Sequence, residues 1–250
     1  MKHYVTSAGK AVALAVRKFV RDVVRDLDRE TVARIYLRGS GIEIGALHEP
    51  LHVPPSVNVR YVDRMSTPDL RRQYPELKDL NLVQVDIIDD GERLATVADG
   101  SQDFVIANQV LEHFQNPLLA MQNMLRVLKP GAVLYLSLPD KRFSFDVDRP
   151  VTTVEHVLRD YNEGPEWSRR QHFEEWARYK EKLSGEALHA RVDELIRIDY
   201  SIHFHVWTQL DMLDLIKTAH RLFGNFELEL FLKTDYEVEH LIILRRTGAS

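Results

Sequence analysis

The chain has 250 residues, 44% hydrophobic and 28% charged, with a formal net charge of −5 and no cysteine. That is the make-up of an ordinary soluble globular protein, either one domain with an insertion or two small domains. It excludes disulfides, thiolate metal sites and a cysteine nucleophile, fits a reducing cytoplasm, and leaves no basic footprint for nucleic acid.

Near the N-terminus an apolar run over residues 11–16 is cut short by Arg17, too short to span a membrane and with no small-residue cleavage site behind it. Val16, Phe19, Val20, Val23, Val24 and Leu27 then step by three and four, which predicts an amphipathic helix packed on the main domain. A helix docking on a partner or a membrane surface is the alternative. Arg38 to Ala46 reads as the end of one element, a short buried strand, and a glycine turn with an acid, Glu43, just ahead of it. A loop through Pro54 and Pro55 follows, then a strand over 57–63, a short helix over 68–74 stopped by Pro75, and a third strand over 82–86. Residues 103–108 form a fourth strand. Pro117 opens a helix ended by Lys129-Pro130-Gly131, and 132–138 is the fifth strand. Glu43, Asp63, Asp86 and Asn108 stand 20, 23 and 22 residues apart, each closing an apolar strand. Consecutive βαβ units place such residues along one rim of a parallel sheet.

Residues 139–207 break this rhythm, being charged, rich in His, Arg and aromatics, and helical in pattern. Thr152 and Glu155 read as a capping box before a helix closed by Gly164-Pro165, a second helix is expected over 167–183, and Leu188, Val192, Leu195 and Ile196 mark a third. Thr208 caps a helix through Leu222, and strands over 226–232 and 239–244 close the chain as an antiparallel hairpin. The expected fold is therefore α/β: a Rossmann-like, mostly parallel seven-stranded sheet with a terminal antiparallel hairpin, an N-terminal helix, and a helical cap inserted after strand five. The corresponding boundaries are 1–38 for the N-terminal segment, 39–138 with 208–246 for the sheet domain, and 139–207 for the cap.

Glu43-Ile44-Gly45, the acid Asp63, Val85-Asp86, the phrase Ala107-Asn108-Gln109-Val110-Leu111-Glu112-His113-Phe114, and Leu125-Arg126-Val127-Leu128-Lys129-Pro130-Gly131 occur here in order. Over about residues 40–138 and 208–245 this pattern resembles the class I S-adenosylmethionine-dependent methyltransferases. The resemblance implies S-adenosyl-L-methionine as cofactor, held by Glu43, Gly45, Ala46, Asp63, Arg64, Asp86, Ile87, Asn108, Gln109 and His113. In physical terms, Gly45 lets the backbone approach the methionine end, and Asp63 can accept from both ribose hydroxyls. Asp86 can accept from the adenine amine, and Asn108 and Gln109 would lie beneath the methionine. The family's later loop glycines are missing from Gly45-Ala46-Leu47-His48. That loss argues against a dinucleotide, whose pyrophosphate needs close backbone approach.

Methyl transfer to a hydroxyl requires alignment and removal of a proton. His172 or His203 is the first candidate for the base, with Asp140 behind them. His203 and His205 alternate on an extended stretch, but no third ligand stands at a readable spacing, so no metal is expected. The polar and aromatic cap suits a hydroxylated small molecule or a sugar or polysaccharide acceptor, and the overall pattern resembles methyltransferases of polysaccharide biosynthesis. A cytoplasmic enzyme is expected, with a homodimer left open. The alternatives are N- or C-methylation of a small metabolite, or a non-catalytic cofactor-binding partner of a glycosyltransferase.

Overall fold

The computed structural model describes residues 27–234 and 239–248. The helix expected over 16–27 lies outside the described residues except for Leu27. Helix α1 (Arg29–Tyr36) opens the described chain, with the Asp28 carboxylate capping it by accepting from the Thr31 N–H at 2.7 Å. It leads into β1 (Ser40–Ile44), then β2 (Asn58–Asp63), α2 (Thr67–Gln73), β3 (Ile87–Ile88), β4 (Gln102–Asn108), α3 (Pro117–Val127) and β5 (Leu128–Pro139). After α4 (Val154–Glu163), α5 (Glu166–Glu175) and α6 (Gly185–Arg197) come α7 (Gln209–Phe223), β6 (Phe226–Lys233) and β7 (Glu239–Arg246). The strands form one sheet in the order β3-β2-β1-β4-β5-β7-β6. The first five run parallel, and β7 is antiparallel to both of its neighbours. This is the mostly parallel Rossmann-like sheet with a terminal antiparallel hairpin that the sequence predicts, β7 being its reversed strand.

The central strands are apolar at nearly every position because both faces are buried. Val105, Ala107, Leu134 and Leu136 pack on one side with Leu118, Met121 and Leu125 of α3 and Leu215 and Ala219 of α7. Phe104, Ile106, Val133 and Tyr135 point the other way, against Val32 and Ala33 of α1 and Leu51 and Val57 of the loop after β1. The segment between β5 and α7 has an apolar cluster of its own, with Phe173, Ala177, Leu188, Val192, Leu195, Ile202 and Phe204.

Four local expectations are corrected. The third strand is Ile87–Ile88 rather than 82–86. Val83 N–H donates to the Leu47 carbonyl and Val85 N–H to Thr67 Oγ1, so this stretch is tied to the loop after β1 and to the first turn of α2 before it reaches β2. Helix α3 passes straight into β5, and Lys129, Pro130 and Gly131 form a bulge on entering the sheet, where Gln102 pairs with Leu128 and Phe104 with Val133. The cap of α4 is Thr153, which accepts from the His156 N–H at 3.2 Å, whereas Thr152 pairs with Val206. The second cap helix ends at Glu175 and continues as a π-helical turn, Trp176–Lys180.

Gly41 of β1 has no room for a side chain, because an added Cβ would strike the Phe104 carbonyl and ring of the neighbouring strand. Gly41→Ala is therefore expected to cost about 2–3 kcal/mol through overpacking, read from urea unfolding. An unchanged midpoint would show that β1 and β4 can separate cheaply.

Candidate active site

The carboxyl ends of β1, β2 and β4 open into a cavity of about 930 Å³. Gly45, Asp63 and Gln109 line its floor, Asp90 and Glu92 one side, and Phe145, Trp176 and His203 the cap side. Open α/β sheets bind ligands at this rim, where the strand order reverses between β1 and β4. Gly45 holds a φ of +66°, and a Cβ there would come within 2.7 Å of Val110 Cγ2. Its N–H donates to the Val62 carbonyl at 2.9 Å, so the turn is pinned to the tip of β2. Gln109 is also left-handed, at φ +52°. Its N–H donates to the Ser137 carbonyl and its Nε2 to Glu239 Oε2 at 2.8 Å, which fixes the residue between β4 and β5.

Asp63 sits at the tip of β2 with Oδ1 accepting from the Arg64 N–H at 2.7 Å. Burial pushes its carboxyl up to about 6, against the Arg64 hydrogen bond and charge. The Arg64 guanidinium lines the same wall and is held by Asp199 and the Tyr74 hydroxyl.

His203 enters the cavity from an extended stretch, 201–206, that follows α6. Its Nδ1 lies 2.6 Å from Asp146 Oδ2, and Asp146 Oδ1 accepts from Arg149 Nη1 at 2.9 Å. Arg149 is buried and also donates to the carbonyls of His203 and Phe204. Burial raises the Asp146 carboxyl, but His203 and Arg149 outweigh it and hold the group below its ordinary value. The pairing leaves His203 Nε2 as the nitrogen available to a ligand. His113 packs edge-on against this ring, with centroids 4.6 Å apart, and its Nδ1 meets Ser201 Oγ at 3.0 Å. Burial and the neighbouring His203 push the His113 imidazole down to about 3. Beside them Glu112 is buried with both carboxylate oxygens unpaired among the described residues, and burial raises it to about 7.

The structure thus brings Gly45, Asp63, Arg64, Gln109, His113 and His203 together around one cavity. The other seven candidates do not line it. Glu43 faces the second sheet layer, accepting from the Leu51 N–H at 3.0 Å and so anchoring the loop after β1. Ala46 follows in that loop, outside the lining. Asp86 is turned back onto β2, its Oδ2 accepting from the Tyr61 N–H at 2.8 Å, and Ile87 lies in the β3 ladder. Asn108 is held at the β4 tip with its side-chain amide unpaired among the described residues. Asp140 is buried and gripped by Arg142, whose Nε and Nη2 donate to its two oxygens. Burial pushes this carboxyl up, but Arg142 leaves it below its ordinary value. His172 lies inside the cap, its Nε2 3.0 Å from His156 Nε2. Asp146 and Arg149 are two functional residues that the sequence does not single out from the other polar residues of the 139–207 segment. Their joint grip on His203 spans more than fifty residues and leaves no local spacing to read.

The family described as a methyltransferase domain matches residues 24–180. No curated protein matches the chain. Among solved structures, a Rhodobacter sphaeroides protein named provisionally as a Zn-dependent alcohol dehydrogenase shares the fold. It is 16% identical at a TM-score of 0.56, covering 90% of this chain and 92% of that one. A SAM-dependent methyltransferase from Aquifex aeolicus is 10% identical at a TM-score of 0.44, covering 91% of this chain and 89% of that one.

The inward Glu43 makes stability depend on pH. Burial raises its carboxyl from 4.5 to about 7. Its neutral form therefore contributes stability that is complete below the unfolded value and lost as pH rises through 7. Glu43→Gln, which cannot ionise, should gain on the wild type by up to about 3 kcal/mol between pH 5 and pH 8. Urea unfolding of both proteins at the two pH values measures this, and a constant difference would mean that Glu43 is ionised throughout.

Proposed function

Because the chain belongs to the methyltransferase-domain family and is an S-adenosylmethionine-dependent methyltransferase, we propose that it methylates a hydroxyl of a small-molecule or sugar-containing acceptor, with His203 as general base. The observation that carries this reading is the Asp146–His203 pair at the cavity wall, 2.6 Å apart.

The residues at the strand tips fit the cofactor. Gly45 leaves a bare backbone where a Cβ would meet Val110, and Asp63 offers a carboxylate at the end of β2 to the ribose hydroxyls. Gln109 flanks the methionine end, and the chain at Asp90, Gly91 and Glu92 lines the side left open by Asp86. When bound, S-adenosylmethionine supplies a methyl group already activated on a sulfonium. The chain's task is then to orient the acceptor and take its proton. A carboxylate on Nδ1 fixes the imidazole tautomer that presents Nε2 as an acceptor, and it stabilises the imidazolium formed when the hydroxyl proton arrives. The cavity lies at the upper end of the ~300–1,000 Å³ typical of ligand sites, so it has space for an acceptor as well as a cofactor. Its cap side combines the rings of Phe145, Trp176 and Tyr200 with Glu76, Glu166 and Asp199, which suits a hydroxylated ring that stacks and hydrogen-bonds at once. Polysaccharide assembly is the setting in which such acceptors arise.

Release of S-adenosylhomocysteine against a panel of nucleotide sugars, glycans and phenols tests the acceptor class. His203→Ala should lower kcat by roughly 10²–10⁴-fold on the hydroxylated acceptor while leaving cofactor affinity in calorimetry unchanged. Wild-type turnover in that variant would move the acceptor to an amine or carbon. Asp146→Asn should lower kcat with little change in KM, whereas a purely structural Asp146 would shift Tm and leave kcat per folded molecule intact. Asp63→Ala should weaken S-adenosylmethionine by about 10–100-fold through lost charge-assisted hydrogen bonds, and equal affinity would displace the ribose from β2.

A further inference from the structure

A second cluster of histidines lies behind the cavity wall and takes no part in the proposed chemistry. His156 and Asp160 stand one turn apart on the same face of α4, His172 comes from α5, and His205 from the stretch before α7. One ligating atom from each of the four falls within 4.8 Å of all the others. Asp160, His172 and His205 are buried, and His156 is 16% exposed at its side chain. His156 Nε2 lies 3.0 Å from His172 Nε2 and 3.3 Å from Asp160 Oδ2, and His205 Nε2 lies 3.8 Å from the same oxygen. A tetrahedral ion with bonds of about 2.0–2.1 Å spaces its ligand atoms roughly 3.3 Å apart. The measured separations straddle that edge.

Two further features point to a cation. Asp160 is fully buried, and its Oδ2 aims into the cluster with no hydrogen-bond partner among the described residues. A buried carboxylate oxygen left this way is costly, and a divalent ion removes the cost. The other oxygen, Oδ1, accepts from Ser168 Oγ at 3.1 Å, the kind of outer contact that orients a ligating carboxylate. His205 is steadied by stacking on Trp207, with ring centroids 5.6 Å apart. Its Nε2 also lies 3.2 Å from the Gln115 carbonyl, a contact it would exchange for ligation.

We infer that His156, Asp160, His172 and His205 form a structural site for a first-row divalent ion of the zinc type, which clips the cap together. Three imidazoles and one carboxylate suit such an ion, whereas magnesium and calcium take oxygen ligands. A complete protein set of four leaves no open position, which is the mark of a structural rather than a catalytic centre. None of the four lines the cavity, but His205 is two residues from His203, so the ion would hold the stretch that carries the base of the proposed function. The sequence hid the site because its ligands come from two helices and an extended stretch, and only the His156–Asp160 spacing is local.

The test is metal analysis of the tag-free wild-type chain after growth with zinc supplementation. About one zinc per chain is expected, falling about fivefold or more in His172→Ala and in Asp160→Asn, and staying unchanged in His189→Ala, an exposed histidine of α6. Stripping the wild type with a chelator should lower Tm by roughly 10 °C, and zinc or cobalt should restore it. Under about 0.1 first-row ion per wild-type chain, with no Tm response to added zinc, overturns the site. So does full metal content in folded His172→Ala, or binding of magnesium or calcium alone. The wild-type measurements decide the matter even if a variant fails to fold.

Discussion

The cap is organised around one buried guanidinium. Arg149 reaches the Asp146 carboxylate, the carbonyls of His203 and Phe204, and, at 3.7 Å, Glu175. The stretch 201–206 that it holds joins no named strand, so its backbone groups find partners elsewhere. Phe204 and His205 N–H both donate to the Glu112 carbonyl, and Thr152 exchanges hydrogen bonds with Val206. A buried ion pair of this kind adds little stability over an apolar replacement, but removing one partner leaves an uncompensated charge at a cost of about 3–5 kcal/mol. Its value here is positional. Arg149 specifies where an otherwise irregular chain must lie, and through Asp146 it also specifies which nitrogen His203 presents.

That constraint explains why one half of the molecule was legible in the sequence and the other was not. The sheet half announces itself through local periodicity: apolar strands, a polar residue closing each, and a helix between. The mostly parallel sheet and its terminal hairpin follow from it, whereas the expectation that Gly45, Asp63 and Gln109 meet the cofactor came from the family resemblance. Where the reading slipped, a non-local contact had displaced a local preference. Residues 82–85 have the composition of a strand, yet Val83 and Val85 donate to Leu47 and Thr67 before β2 is reached. In the cap, helix existence was readable from spacing. The pairs that give it chemistry, Arg149 with His203 and His156 with His172, are separated by 54 and 16 residues and leave no trace in any window.

Glu43 shows a subtler limit. An acid ahead of a glycine turn, on the strand that opens the sheet, invites a ligand-binding role. Strand alternation decides otherwise. Ile42 and Ile44 pack beneath the layer of α3 and α7, so Glu43 between them turns to the opposite layer and takes the Leu51 N–H. There it shapes the loop after Gly45, and so acts on the cavity through the backbone rather than by touching what binds. Asp86 follows a related logic, its carboxylate capping the Tyr61 N–H where the short β3 leaves β2 incompletely paired.

The two histidine clusters also bear on each other. An extended chain advances about 6.8 Å over two residues, enough for His203 and His205 to serve different neighbourhoods, yet too little for them to move independently. His203 is fixed by Asp146 at the cavity, and His205 sits among His156, Asp160 and His172 inside the cap. A base must be held within a few tenths of an ångström to meet a hydroxyl in line, and an irregular stretch with no strand partner is a poor support for that task. Anchoring it on both sides, by a buried arginine at one residue and by the proposed ion site two residues later, would give the stretch the rigidity that a sheet would otherwise supply. Under the proposed mechanism, such an arrangement would leave the acceptor side free to vary in its aromatic and charged lining, because the residue proposed to take the proton is positioned from behind the wall rather than from within it.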